Sequence, residues 1–245
     1  MAGPASLQVD VWRGGAEGRL VRYEVPAREN QTVLDVVTHI QREIDPSLAY
    51  RFACRVGMCG SCAMTVNGRA RWTCRTHVRK VAGEDGVLEL RPLANLPVIR
   101  DLAADLAPFF EKWRRARGHF QPKDAPEGAV PEDFAVVPPG SKARAEADAG
   151  IECIGCGVCY ASCDVVAWNP DYLGPAALNR AWTLVNDVRD GARAERLAAV
   201  AGDAGCHSCH STQSCTERCP KNLDPSSAIA GLKRTLFWDT LLGRR

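Results

Sequence analysis

The sequence predicts an α+β protein, with a strand-rich N-terminal part followed by a helical C-terminal part. Three observations carry that expectation. Clear period-two alternation of apolar residues falls within the first 100 positions. From Ala143 onward, helix-start signals and apolar residues at helical spacing take over. Cysteines cluster in both parts, at spacings that recur in metal sites.

Composition narrows the classes. A chain of 245 residues accommodates one to two domains. Its 31 basic and 29 acidic residues leave a net charge of +2, which argues neither for nucleic acid nor for a strongly acidic partner, and no nucleic-acid partner is expected. Met1 to Ser6 has no basic or apolar targeting pattern. No apolar run approaches the ~18 residues of a membrane span. Twelve cysteines in such a chain are expected to bind metal, not to form disulfides.

The elements follow in order. Leu7–Trp12 and Leu20–Val25 alternate around a glycine-rich stretch at 14–18, predicting a hairpin that Pro26 ends. Thr32 is the expected N-cap of a helix through Val33, Val36, Val37 and Ile40, ending before Pro46. Met64–Val66 and Val87–Leu90 are further strands, with Asn67-Gly68 as a turn. This order suggests a small β-grasp sheet crossed by one helix. Asp101–Arg117 reads as an amphipathic docking helix, with Leu102, Leu106, Phe109, Phe110 and Trp113 on one side. Residues 118–150 are polar and contain Pro122, Pro126, Pro131, Pro138 and Pro139, the composition of a wrapping loop or linker. Helices are then expected after Gly174-Pro175, over Ala192–Ala201, and after Asp224-Pro225. The last has Ile229, Leu232, Leu236 and Leu241 as a core stripe.

The cysteine spacings specify the chemistry. Cys54-x4-Cys59-x2-Cys62, followed by Cys74, is the plant-type [2Fe–2S] pattern. A loop supplies three thiolates and a returning strand the fourth. Cys153-x2-Cys156-x2-Cys159-x3-Cys163 is the bacterial two-cluster run, whose fourth cysteine serves the other cluster. Zinc sites also use C-x2-C pairs but need no third and fourth thiol at these offsets. By the same crossed logic, Cys153, Cys156 and Cys159 take Cys219, just before Pro220, to complete a [4Fe–4S] set. Cys163, Cys209 and Cys215 remain for a cluster with three protein thiolates. Cys206 stays open as an alternative, because Cys206-x2-Cys209 could itself be a ligand pair. Clusters in series form an electron wire. No nucleotide fingerprint or catalytic triad appears in the chain.

Taken together, these residues resemble the iron–sulfur subunits of succinate dehydrogenase and fumarate reductase over nearly the whole chain. The matching stretches are Cys54–Cys62, Leu93–Leu102, Cys153–Cys163, Asn169-Pro170-Asp171 with Gly174-Pro175-Ala176, and Cys209-His210-Ser211 through Cys215 to Cys219-Pro220-Lys221. The resemblance implies a β-grasp plant-type ferredoxin domain followed by an all-helical bacterial-type ferredoxin domain. The expected partition is 1–100 for the [2Fe–2S] domain, 101–142 for the docking helix and linker, and 143–245 for the domain with [4Fe–4S] and [3Fe–4S] clusters. It further implies a flavoprotein partner carrying FAD and a membrane anchor, with or without haem, that binds quinone. The expected location is the cytoplasmic face of the inner membrane, held there through the anchor. Cys209-x5-Cys215-x3-Cys219-Pro220 matches the family in full and favours Cys209, Cys215 and Cys219 as the ligands with Cys206 a spare thiol, the rival being Cys206 as a fourth ligand that makes a second [4Fe–4S] cluster. Three residues after Cys209 stands Thr212, a poor substitute for a thiolate, so a three-iron cluster is expected. Trp168 and His210 are the candidate quinone-side residues. Against those roles, Trp168 could be a packed core aromatic and His210 a buried, hydrogen-bonded histidine. Two positions depart from the family: Asp164 replaces the usual proline, and Ala167-Trp168 replaces a pair of tryptophans. The competing functions are a related reductase with a thiol or disulfide end, a freestanding ferredoxin-like carrier, and a zinc-binding structural protein.

Overall fold

A computed structural model describes residues 6–83, 86–123 and 137–243. The chain divides into two compact units. One comprises Met1–Pro108 with Ile154–Ser162, the other Phe109–Cys153 with Cys163–Arg245.

In the first unit, β1 (Ser6–Arg13) and β2 (Arg19–Pro26) form the expected antiparallel hairpin, with Val9 opposite Tyr23. α1 (Val33–His39) starts at a capping box. Thr32 Oγ1 accepts from Asp35 N, and the Asp35 carboxylate accepts from Thr32 N. The helix runs on into a π-type turn over Ile40–Ile44. β3 (Ala63–Val66), β4 (Arg69–Trp72) and β5 (Val87–Arg91) complete a sheet of order β2-β1-β5-β3-β4. β1 and β5 run parallel, and the other pairings are antiparallel. Alternate residues Val9, Val11, Met64, Val66, Leu88 and Leu90 pack with Val33, Val36, Val37 and Ile40 of α1 to make the core. β4 escaped the sequence pattern because only Ala70 in it is buried. It is placed by the Asn67-Gly68 turn, where both residues take positive φ.

The helix expected from Asp101 begins later. β6 (Val98–Arg100) and β7 (Ala103–Ala104) form a small hairpin turned at Asp101, whose φ is +50°. That carboxylate is buried and accepts from Gly14 N and Ala49 N, each at 2.8 Å, with Arg13 Nε 3.1 Å away. A residue committed to this turn cannot also start a helix. α2 therefore covers Ala107–Arg115, with Asp105 Oδ1 accepting from Ala107 N. Leu102 joins the core of the first unit instead of the helix stripe.

The second unit is helical. α3 (Lys142–Ile151) opens it, and α4 (Val158–Ala161) falls in the first unit. α5 (Asp164–Trp168), α6 (Pro175–Val185), α7 (Arg193–Val200), α8 (Ser214–Glu217) and α9 (Pro225–Leu241) follow. α6 is buried nearly all round, which makes it the central helix. α3, α7 and α9 pack on it. Trp182 Nε1 donates to Glu146 on α3, and the same ring lies so close to α9 that a Cβ on Gly231 would meet it at 2.7 Å.

Residues 118–123 are pinned to this unit. Fully buried Arg196 donates to Arg117 O, His119 O and both oxygens of Asp190, and Asp190 also accepts from Gln121 N. Pro126 and Pro131 of the expected linker lie outside the described residues. α9 has Asp224 as N-cap and Pro225 in its first turn, as expected. Ile229, Leu232 and Leu236 are core, but Leu241 is 63% exposed. It shares an outward face with exposed Phe237 and Trp238, so α9 is apolar on two sides. Among the described residues no helix is long and apolar enough to cross a membrane.

Candidate iron–sulfur ligand sets

Cys54, Cys59, Cys62 and Cys74 come together in the first unit. The loop from Cys54 to Gly60 takes positive φ at Arg55, Gly57 and Gly60, which turns successive N–H groups inward. Met58 N and Cys59 N donate to Cys54 Sγ at 3.2 and 3.3 Å, and Cys54 N donates to Cys59 Sγ at 3.5 Å. These donors, Met58 N foremost, lower the Cys54 thiol to about 6. Cys62 precedes β3, and Cys74 lies in the 3-10 turn after β4. Thr73 ties the two together by donating through Oγ1 to Cys62 O at 2.8 Å. Both thiols are buried against Leu34 of α1 with Tyr50 and Trp72 alongside. Burial first, then Cys62, pushes Cys74 up to about 11. Four thiols facing one another, with N–H groups aimed at sulfur, fit a binuclear cluster, which needs four thiolates and stabilised sulfur charge.

Cys163, Cys209 and Cys215 meet in the second unit. Cys163 caps α5, Cys215 lies in α8, and Cys209 follows a 3-10 turn over Cys206–Ser208. Burial raises the thiols of Cys163 and Cys215, and the nearby sulfurs of the set add to the shift. Backbone N–H groups of Val165 and Val166 act in the opposite sense on Cys163. Ser226 Oγ lies 3.4 Å from Cys215 Sγ. Thr212 is exposed. Cys206 is fully buried and its thiol is pushed up to about 11, chiefly by burial.

Cys153, Cys156, Cys159 and Cys219 are spread over the chain division. In the second unit, Lys221 Nζ lies 3.2 Å from Glu152 Oε2, which draws the residues flanking Cys219 and Cys153 together. In the first unit, Cys156 stands between Gly155 and Gly157, both at positive φ, and Cys159 is on α4. Among the described residues no three His, Cys, Asp or Glu side chains converge on one position for a single metal ion. A cluster distributes its thiolates over several irons and needs no such point.

Trp168 ends α5 and is 65% exposed, so it is not a core aromatic. Its ring centroid lies 5.5 Å from that of His210, which is also exposed, not buried. Spacing gave no sign of Tyr172. It is fully buried beside Cys163, Cys209 and Cys215, and desolvation first, then those sulfurs, drives its hydroxyl far above the ordinary range. The only signal was its place directly after the Asn169-Pro170-Asp171 stretch. Which backbone N–H groups face Cys54 Sγ, those of Met58 and Cys59, is set by the folded φ values of the loop, in which Gly57 and Gly60 supply two of the three left-handed positions.

Comparison with known proteins gives concordant matches. Residues 8–111 match the family described as a 2Fe-2S iron-sulfur cluster binding domain, and residues 152–224 a 4Fe-4S dicluster domain. The fumarate reductase iron-sulfur subunit of Haemophilus influenzae is 35% identical over 239 residues, covering 94% of this chain and 92% of that protein. The mitochondrial succinate dehydrogenase [ubiquinone] iron-sulfur subunit 1 of Oryza sativa is 37% identical over 203 residues, or 82% and 70% of the two chains. A chain of the Mycobacterium smegmatis Sdh1 complex in the apo form superposes with a TM-score of 0.84. It is 29% identical, and 96% of each chain is covered.

Proposed function

We infer the working role of this chain from one premise: it belongs to the family of iron–sulfur subunits of fumarate reductase and succinate dehydrogenase. It is the electron-transfer subunit of such an oxidoreductase, with a [2Fe–2S] domain followed by a 4Fe–4S domain. Our finer reading is a β-grasp plant-type ferredoxin domain over 1–100, a connecting region over 101–142, and a bacterial-type ferredoxin domain over 143–245.

In that reading Cys54, Cys59, Cys62 and Cys74 hold the [2Fe–2S] cluster. Cys153, Cys156, Cys159 and Cys219 hold a [4Fe–4S] cluster, and Cys163, Cys209 and Cys215 a [3Fe–4S] cluster. Bound clusters supply one-electron carriers of graded potential. The chain's own residues set their surroundings. Met58 N and Cys59 N offset negative charge on Cys54. Burial around Cys163 and Cys215 excludes water. The relay would connect FAD on a flavoprotein partner with quinone at a membrane anchor, the chain being peripheral to the cytoplasmic face of the membrane. Exposed Trp168 and His210, in ring contact, are the proposed quinone-side residues.

The observation that carries this reading is the meeting of Cys163, Cys209 and Cys215 with no fourth thiol at Thr212. Cys206 is the one rival ligand. The test is electron paramagnetic resonance on the oxidised chain, with metal analysis. A three-iron signal that persists unchanged in Cys206→Ser is expected, with iron and no zinc. A silent oxidised spectrum that gains the signal only in Cys206→Ser would assign Cys206 as a fourth ligand.

A further inference from the structure

We propose that Gly60 is a positioning residue for electron transfer between the first and second clusters. Its missing side chain lets the loop carrying Cys59 and Cys62 lie directly against Cys156. The inference rests on the ligand sets proposed above.

A Cβ at Gly60 would stand 2.6 Å from Cys156 Cβ, 2.8 Å from its Cα and 3.3 Å from its N. Real Cβ atoms do not approach backbone so closely, and the neighbour is no flexible side-chain tip that could swing away. Gly57, in the same loop, makes the contrast. Its Cβ would meet the Trp72 and Arg75 side chains, within the sheet and turn that flank the first ligand set. Gly60 alone in that loop is reserved for a residue from another ligand set.

The Cys156 side of the contact is held as firmly. Asn95 Nδ2 donates to Tyr160 O at 3.2 Å and to Ala161 O at 3.3 Å, carbonyls in the last turn of α4. Gly157 is seated near Leu93, Leu96 and Leu106. Residues 154–162 thus form a built part of the first unit, and Cys159 rides on the helix that Asn95 fixes. The step served is simple. One electron crosses from one ligand loop to the other, one centre being oxidised as the other is reduced, and no atom is transferred. Electron tunnelling weakens steeply with the gap between centres. Two loops in backbone contact, with nothing between them, keep that gap short.

The test uses the whole complex with Gly60→Ala and Gly60→Asn. Asn enters positive φ more readily than Ala yet is larger. If separation of the loops matters, Asn impairs transfer at least as much as Ala. If backbone strain matters, Asn is the milder change. Gly68→Ala is the control, because Gly68 shares a φ of +71° but has open space where its Cβ would be. The readouts are the magnetic broadening of the first centre by the second, the rate between them by rapid freezing, and both reduction potentials. We expect weaker coupling and several-fold slower transfer in both Gly60 variants, Asn no milder than Ala, with potentials unmoved and Gly68→Ala normal. Unchanged coupling and rate would overturn the proposal. So would a milder effect of Asn. Loss of iron or of folded protein in both Gly60 variants, with Gly68→Ala intact, would also overturn it, since the glycine then serves only its own loop. Absence of clusters from the unaltered chain would instead refute the ligand reading itself.

Discussion

At the scale of single residues, the second unit depends on one buried ion pair. Arg196 and Asp190 have fully buried side chains, with Nη1 2.6 Å from Oδ1. Burial pushes the Asp190 carboxyl up, but Arg196 and the N–H groups of Gln121 and Ala192 outweigh it and hold the group below its ordinary value. A depressed carboxyl pKa contributes stability above its unfolded value of ~3.9, and that stability is lost as pH falls through the folded value. Arg196→Ala strands a buried carboxylate and frees the carbonyls of Arg117 and His119. It should cost about 3–5 kcal/mol in denaturant unfolding of the second unit at neutral pH. In the wild type, acid unfolding of this unit should begin below about pH 4. None of this was legible in the sequence, where Arg196 is one charge in an ordinary amphipathic helix.

Two elements yield predictions of opposite kind. α1 owes its start to reciprocal Thr32–Asp35 bonds. Thr32→Ala should destabilise the first unit by about 1 kcal/mol, read as a shift in unfolding midpoint with unchanged slope. α9 buries Ile229, Leu232 and Leu236 but turns Phe237, Trp238 and Leu241 outward. Replacing Phe237 and Trp238 together with serine should leave stability within about 0.5 kcal/mol, since surface changes cost little. It should weaken co-purification with the proposed partner subunits, because a contiguous exposed apolar face marks an interaction site. The periodicity of α9 was plain in the sequence. Which of its two apolar faces would be covered was not.

For the molecule as a whole, the separation of ligand sets matters most. Cys62 is buried beside Cys74, with Leu34, Tyr50 and Trp72 packed around the pair. Cys62→Ser should therefore abolish the [2Fe–2S] spectrum and leave the three-iron signal in place, checked by resonance spectra of the folded variant. Loss of every signal would show that the sets assemble as one.

A 2Fe–2S domain followed by a 4Fe–4S domain could be read from cysteine spacing, and the family from those spacings together with stretches such as Leu93–Leu102 and Asn169-Pro170-Asp171. Thiolate ligation is a local demand, and C-x4-C-x2-C or C-x2-C-x2-C-x3-C writes it directly into the chain. The hairpin, α1 and the caps of α6 and α9 were legible for the same reason: periodicity and cap residues act over a few neighbours. Tertiary structure decided the rest. Asp101 delayed the start of the expected helix, because its carboxylate is claimed by Gly14, Ala49 and Arg13, far away in sequence. Tyr172 reached the sulfurs of Cys163, Cys209 and Cys215 only through folding. Gly60 met Cys156 across almost a hundred positions, and no spacing rule connects residues whose only relation is the contact between their backbones.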